Sequence, residues 1–184
     1  MGNLFDAVSS LIGIRNETTY ESQAAMEMLA LARPFIPSIK CYPFVLETTE
    51  TGTVIRLKDL LAAVLHDVRS HRSTEMIAAR FHKTIAEMAV DVCRRARRFT
   101  GLNEVALSGN MWQNQVMLDL VHKGLTRDGF TVYTHRDLPS NDGGLALGQA
   151  VVANSSRGIR ELATPQRFTP VTQDDRPPGE KVNE

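Results

Sequence analysis

The sequence predicts an α/β fold with a largely helical first half and short parallel strands in the second half. Before Gly101, apolar residues recur mostly at intervals of three and four residues, which is helical spacing. After Gly101, short β-type runs at 104–107 and 130–133 alternate with helical segments. Because the order strand, helix, strand favours a right-handed crossover, we expect these two strands to be parallel neighbours.

One long helix dominates the first half of the prediction. It begins at a cap on Ser73 or Thr74 and ends before Gly101. Its apolar stripe consists of Ile77, Phe81, Ile85, Met88 and Val92. The remaining expected elements are helices at 4–14, 21–32, 57–68, 113–126 and 145–153, and a hairpin of 44–47 with 53–57.

Composition excludes several classes of protein. The 184 residues include 21 basic and 21 acidic side chains, so the formal net charge is zero. That balance argues against nucleic acid or a membrane surface as a partner. The two cysteines fit a reducing compartment, and neither an apolar run of membrane-spanning length nor a signal peptide is evident, which predicts a cytoplasmic protein.

The chain is expected to form one domain at 1–154, followed by a tail. Residues 155–184 combine proline, glycine and charged residues with few apolar ones. Such a composition cannot bury enough apolar surface to offset the entropy of ordering, so we predict a disordered tail.

Residues suited to metal or nucleophilic catalysis are sparse. No two of the five histidines have the i, i+4 spacing that places two imidazoles on one helix face. Ser108 is not in a nucleophile elbow, and Cys41 has no identifiable activating base. Cys93 lies within the apolar helix and is expected to be a core residue. Four arginines at 94, 95, 97 and 98 are expected to complement the dipole of the long helix and face solvent rather than bind phosphate.

Two glycine-containing turns are the candidate ligand site. Ser108, Gly109 and Asn110 follow the first strand, and residues 141–144 (NDGG) follow the second. Ordinary turn and capping chemistry explains both turns. The alternative is ligand binding, because both turns lie at the carboxyl ends of adjacent parallel strands, where α/β sheets bind ligands.

Five ordered blocks resemble the hydrogenase-maturation carbamoyltransferase family HypF, in its C-terminal region. The resemblance covers about residues 2–154. The blocks are 5–8 (FDAV), 20–27 (YESQAAME), 79–82 (ARFH), 105–114 (VALSGNMWQN) and 141–150 (NDGGLALGQA).

The resemblance implies a fold, a reaction and partners. The fold would be the C-terminal lobe of an actin/hexokinase-type (ribonuclease-H-like) ATPase, related to the tRNA threonylcarbamoyl transferases. The reaction would form carbamoyl-adenylate from carbamoyl phosphate and ATP, with a divalent metal ion. The carbamoyl group would then pass to the C-terminal cysteine of HypE, and become a cyanide ligand of [NiFe]-hydrogenase iron.

The resemblance also implies residue roles. Asp6 and Glu21 would bind the ribose hydroxyls, and Asn114 would lie near the adenine. Asp142 would be one metal ligand. The two turns would line the rest of the nucleotide site through Ser108, Gly109, Asn110, Gly143 and Gly144.

The sequence departs from the family pattern at three places. Asn110 stands where the family's phosphate turn has a second glycine, and Ser22 stands where the family has a glycine after Tyr-Glu. The family's histidine pair, which belongs to the preceding lobe, is absent.

These departures leave three functions open. The leading hypothesis is a truncated or split C-terminal lobe that is inactive without an N-terminal lobe or subunit. Such a lone lobe is expected to expose an apolar face, either on the 4–14 helix or at Ala146, Ala150 and Ala153. The alternatives are a non-catalytic nucleotide-binding or scaffold module, and a related carbamoyl or threonylcarbamoyl transferase.

Overall fold

A computed structural model describes residues 2–49 and 52–154. Its helices are α1 (Gly2–Leu11), α2 (Gln23–Ala32), α3 (Lys58–Arg69), α4 (Thr74–Thr100), α5 (Gln115–Arg127) and α6 (Leu145–Asn154). Its strands are β1 (Val45–Thr49), β2 (Gly52–Arg56), β3 (Glu104–Leu107) and β4 (Thr131–Thr134). Three short 3-10 turns occupy Ile36–Ser38, Asn110–Gln113 and Asp142–Gly144.

Helix α4 is the centre of the core. The Ser73 side chain accepts a hydrogen bond from Met76 N at its start, and Gly101 ends it with a φ of 72°. Ile77, Phe81, Ile85 and Met88 are buried, as their spacing predicts, whereas Val92, the last residue of the predicted stripe, is half-buried. Helices α1, α2, α3 and α5 contribute further buried apolar side chains of the same cluster, and strand β3 and the connecting segments contribute the rest.

The parallel pairing of β3 and β4 confirms the α/β prediction. The register runs from Glu104 opposite Thr131 to Leu107 opposite Thr134, with α5 as the crossover helix. Since parallel strands end at the same edge of a sheet, the segments that follow Leu107 and Thr134 start next to each other. The strands β1 and β2 form the expected antiparallel hairpin.

Helix α1 is not an exposed apolar face. Phe5 and Val8 are buried, and the Phe5 ring meets the Phe81 ring edge to face at 5.0 Å. The expectation of exposure is wrong here because α4 and α2 cover the apolar side of this helix.

The arginines at the end of α4 have protein partners. Arg94 forms ion pairs with Asp91 and Asp128. Arg97 donates to Asp128 O and lies 4.1 Å above the Phe130 ring. These contacts connect the helix to the turn before β4, so the expectation that the arginines simply face solvent is wrong for Arg94 and Arg97.

A polar network stabilises the other end of α4. The buried carboxylate of Asp67 accepts from Tyr42 Oη at 2.8 Å and from Arg80 Nη1 at 2.6 Å, and it pairs with Arg72 at 3.1 Å. Burial alone would raise the pKa of Asp67, but the donors from Tyr42 and Arg80 hold it below its ordinary value. The carboxylate therefore stays ionised within the fold.

The chain divides into two compact units, with the boundary between Gly144 and Leu145. In the second unit only α6 is described, and none of its residues, Ala146, Ala150 and Ala153 included, is buried. The predicted tail at 155–184 lies outside the described residues. No helix in the described ranges has the length and hydropathy to cross a membrane.

Candidate functional site

One cavity of about 620 Å³ brings together four residues of the predicted nucleotide site. Asp6 reaches it from α1, Glu21 from the loop before α2, and Asn110 and Asn114 from the segment between β3 and α5. These residues come from three separate parts of the sequence. The described fold therefore brings them together in one cavity, and their nucleotide-binding role stays a prediction.

The two carboxylates have different surroundings. Asp6 is exposed on α1, next to the buried Phe5. Glu21 is exposed in the loop, and its Oε1 accepts a hydrogen bond from Asn110 Nδ2 at 2.6 Å. Carboxylate oxygens accept hydrogen bonds from hydroxyl groups, so both side chains suit a sugar.

The turn after β3 is fixed by contacts with the segment after β4. Gly109 has a φ of 109°, which favours glycine, and its N–H donates to Ser140 O at 2.7 Å. Ser108 Oγ lies 2.9 Å from His135 Nε2, and Trp112 Nε1 donates to Ser108 O. Ser108 and Gly109 are not among the residues that line the cavity.

Asn114 has a structural task in addition to its place in the cavity. Its Oδ1 accepts from Met117 N at 3.0 Å and so caps α5, and the residue is buried. The capping bond occupies the carbonyl side of the amide. If Asn114 meets a base, its Nδ2 is the group that is left to donate.

The second turn, at 141–144, has a packing role. Asn141 Oδ1 accepts from Gly143 N at 3.1 Å. A Cβ on Gly144 would lie 2.9 Å from Pro139 O, which requires a glycine there. Gly143 and Gly144 are not part of the cavity lining.

Asp142 is exposed, and the described residues contain no group of three or more His, Cys, Asp or Glu side chains that could hold a metal ion. These residues alone do not fit a metal centre. The role of Asp142 as a single metal ligand stays a prediction.

Sequence reasoning missed the contact of His135 with Ser108. The signal was present, because His135 follows β4 directly and Ser108 follows β3 directly. It also missed the apolar part of the cavity, where Met26 and Met111 contribute to the lining.

Comparison with known proteins decides the family. A family model described as carbamoyltransferase, Kae1-like domain, second subdomain, matches residues 1–149. The chain belongs to the HypF carbamoyltransferase family. It is 32% identical over 157 residues to carbamoyltransferase HypF of Synechocystis, an alignment that covers 85% of this chain and 20% of that protein.

Solved HypF structures share the fold. The crystal structure of full-length HypF in the phosphate- and nucleotide-bound form matches with a TM-score of 0.78 and 36% identity, covering 85% of this chain and 21% of that one. HypF from T. kodakarensis matches with a TM-score of 0.71 and 22% identity, covering 88% of this chain and 20% of that one. The chain thus spans about a fifth of the length of these HypF relatives.

Proposed function

We propose that this chain supplies one wall of the nucleotide site of a HypF-type carbamoyltransferase. The main support is the convergence of Asp6, Glu21, Asn110 and Asn114 on a single cavity, with Glu21 and Asn110 in direct contact although they are 89 residues apart in sequence. The similar HypF structure in its phosphate- and nucleotide-bound form gives further support.

The proposed reaction is carbamoyl transfer through carbamoyl-adenylate. Carbamoyl phosphate would be hydrolysed to carbamate and phosphate, and a carbamate oxygen would attack the α-phosphorus of ATP to give carbamoyl-adenylate and pyrophosphate. The thiolate of the C-terminal cysteine of HypE would then attack the carbamoyl carbon. AMP would leave with the electron pair of the broken C–O bond. The carbamoylated HypE would then take part in the maturation of [NiFe]-hydrogenase in the cytoplasm.

The chain's own residues would bind and orient the nucleotide in this scheme. Asp6 and the free Oε2 of Glu21 would accept hydrogen bonds from ribose hydroxyls, and Asn114 Nδ2 would donate to the base. The turns with Ser108, Gly109, Gly143 and Gly144 would form the adjacent edge of the site. Asp142 would offer one carboxylate oxygen to a divalent ion whose other ligands lie outside the described residues.

These contacts are too few for tight binding. Micromolar affinity corresponds to about 8 kcal/mol, whereas a hydrogen bond to a charged group contributes roughly 1.5–3 kcal/mol. The described cavity also contains no basic side chain to meet a phosphate. We therefore propose that the described unit is inactive by itself and requires a second wall, from the same polypeptide or from a partner.

A second candidate is a nucleotide-binding or scaffold module without catalysis. Only the scaffold version gains from the contact between Asn110 and Glu21, because that bond leaves one carboxylate oxygen fewer for a ligand. No observation specifically favours the third candidate, a related carbamoyl or threonylcarbamoyl transferase.

Calorimetric titration with ATP and Mg²⁺ tests the leading proposal. The chain is measured alone and together with the remaining domains of a HypF relative, and we expect micromolar binding only in the combined sample. The Glu21→Ala variant should weaken that binding, whereas Gln115→Ala, an exposed change outside the cavity, should not. Micromolar binding by the chain alone would contradict the requirement for a second wall. If the combined sample binds ATP but transfers no carbamoyl group, the scaffold candidate is favoured.

A further inference from the structure

The charge of the cavity is one-sided. Asp6 and Glu21 are in its lining, and no lysine, arginine or histidine is. Two carboxylates without a cation repel a phosphate group and leave an uncharged, hydroxyl-bearing group unaffected. The cavity therefore suits a nucleoside better than a phosphate.

One backbone donor next to the cavity already has a partner within the protein. A phosphate at this turn would need free N–H groups, as helix-terminal phosphate sites provide. The Gly109 N–H already donates to Ser140 O at 2.7 Å. It can meet a ligand only if that hydrogen bond opens.

Asn110 closes the space between the turn and the opposite wall. Its side chain leaves the turn after β3 and bonds to Glu21 Oε1 at 2.6 Å, across the cavity that both residues line. Held there by a charged acceptor, the Asn110 side chain occupies the space between the turn and the carboxylates that are proposed to bind the sugar. A phosphate group would have to enter this space to reach the turn. The contact uses Oε1 of Glu21 and leaves Oε2 for a ligand.

We propose that Asn110 is a specificity-determining residue that makes this cavity select the uncharged ribonucleoside part of its ligand and exclude phosphate groups. This rests on the proposed nucleotide site. Phosphates of a bound nucleotide then point out of the cavity and gain no affinity from the described residues.

Nuclear magnetic resonance titration of the chain with adenosine, AMP and ATP, in metal-free buffer, tests the proposal. The backbone amides of Ser22, Asn110 and Met111 report on the cavity. For the unmodified chain we expect adenosine to bind at least as tightly as AMP, and AMP at least as tightly as ATP. In Asn110→Gly both carboxylates remain but the side chain that fills the space beside the turn is gone, so the ratio of the ATP to the adenosine dissociation constant should fall by about tenfold.

Two further variants make the result specific. Asn110→Ala keeps a Cβ but lacks the amide, so it should shift the ratio in the same direction without the added flexibility of glycine. Gln115→Ala, outside the cavity, should leave the ratio unchanged. Amide spectra report whether each variant is folded.

Each outcome decides a different point. If the unmodified chain binds ATP more tightly than adenosine, the inference is overturned while the nucleotide site stands. If the ratio is the same in both Asn110 variants as in the unmodified chain, Asn110 is not the selecting residue. If none of the three ligands shifts the cavity amides even at millimolar concentration, where weak binding by one wall is still detected, the proposed nucleotide site fails, and the inference fails with it.

Discussion

Ser108 Oγ lies 2.9 Å from His135 Nε2, and this contact joins the two segments that leave the parallel strands. The backbone bond from Gly109 N to Ser140 O, at 2.7 Å, runs beside it. The two glycine turns are thus parts of one connected edge. We therefore expect His135 to help hold this edge through Ser108.

The variant His135→Ala should loosen the turn at Gly109 more than it destabilises the fold. Both His135 and Ser108 are exposed, so we expect the free energy of unfolding to fall by at most about 1 kcal/mol. Hydrogen exchange at the Gly109 amide should become faster because its bond to Ser140 opens more often. His122→Ala, an exposed change on α5, is the control. Unchanged exchange at Gly109 would show that the imidazole does not hold this edge.

Loss of the Asp67 carboxylate should be costly. In Asp67→Asn, Arg80 and Arg72 lose the buried anion with which they pair, and we expect the free energy of unfolding to fall by roughly 2–3 kcal/mol. Urea unfolding at neutral pH measures this. Glu47→Gln removes the exposed pair with Arg56 and should lower the free energy of unfolding far less, because solvent screens that pair.

The same variant has a predictable pH signature. The folded-state pKa of Asp67 is lowered, so its contribution to stability is present above the unfolded carboxyl pKa and is lost as pH falls through the lower folded value. The unmodified chain should therefore lose stability more steeply than Asp67→Asn in the acid range below the usual carboxyl pKa. Parallel curves for the two proteins would contradict this role.

Periodicity predicted the elements of this fold well where apolar spacing was strong. The stripe from Ile77 to Met88 is buried as expected, and the strand pair 104–107 and 131–134 is parallel. The boundaries shifted where local side chains act. Asn114 caps α5, so that helix begins at Gln115 rather than at 113.

Contacts between distant segments could not be predicted in the same way. The resemblance placed Asp6, Glu21 and Asn114 in one site, and the described cavity brings them together. Nothing in the sequence indicated that Asn110 would bond to Glu21, because that contact depends on side-chain geometry across the cavity. The partners of Arg94 were missed for the same reason, since Asp128 lies 34 residues further along the chain.

His82 should make stability depend on pH near neutrality. It is fully buried between Phe5 and Phe81, its Nδ1 donates to Ala78 O, and its Nε2 has no partner among the described residues. Burial lowers the pKa of His82 to about 4, although the bond to Ala78 opposes the shift. The folded state thus holds the neutral ring, and protonation favours the unfolded chain.

Stability should fall as pH decreases from the unfolded histidine pKa of about 6.5, by roughly 2 kcal/mol at pH 5. His82→Leu should abolish most of this slope, whatever its effect on absolute stability. Urea unfolding of both proteins at several pH values across this window measures the slope. His122→Gln, on the surface of α5, should keep it. An equal slope in His82→Leu would assign the pH dependence to other groups.

Ser22 lies in a backbone conformation that favours glycine, with φ at 64° and ψ at 8°. A left-handed conformation costs an L-residue roughly 1–2 kcal/mol, and glycine avoids that cost but loses about 0.5–1 kcal/mol of chain entropy on folding. The Ser22 side chain makes no capping hydrogen bond, so its removal loses no partner at the start of α2. We therefore expect Ser22→Gly to raise the free energy of unfolding by up to about 1 kcal/mol. Ala62→Gly, exposed within α3, should lower it by about 1 kcal/mol. Thermal and urea unfolding measure both variants. If Ser22→Gly is as destabilising as Ala62→Gly, the backbone at Ser22 is unstrained. Serine in place of the family's glycine would then cost the fold no stability.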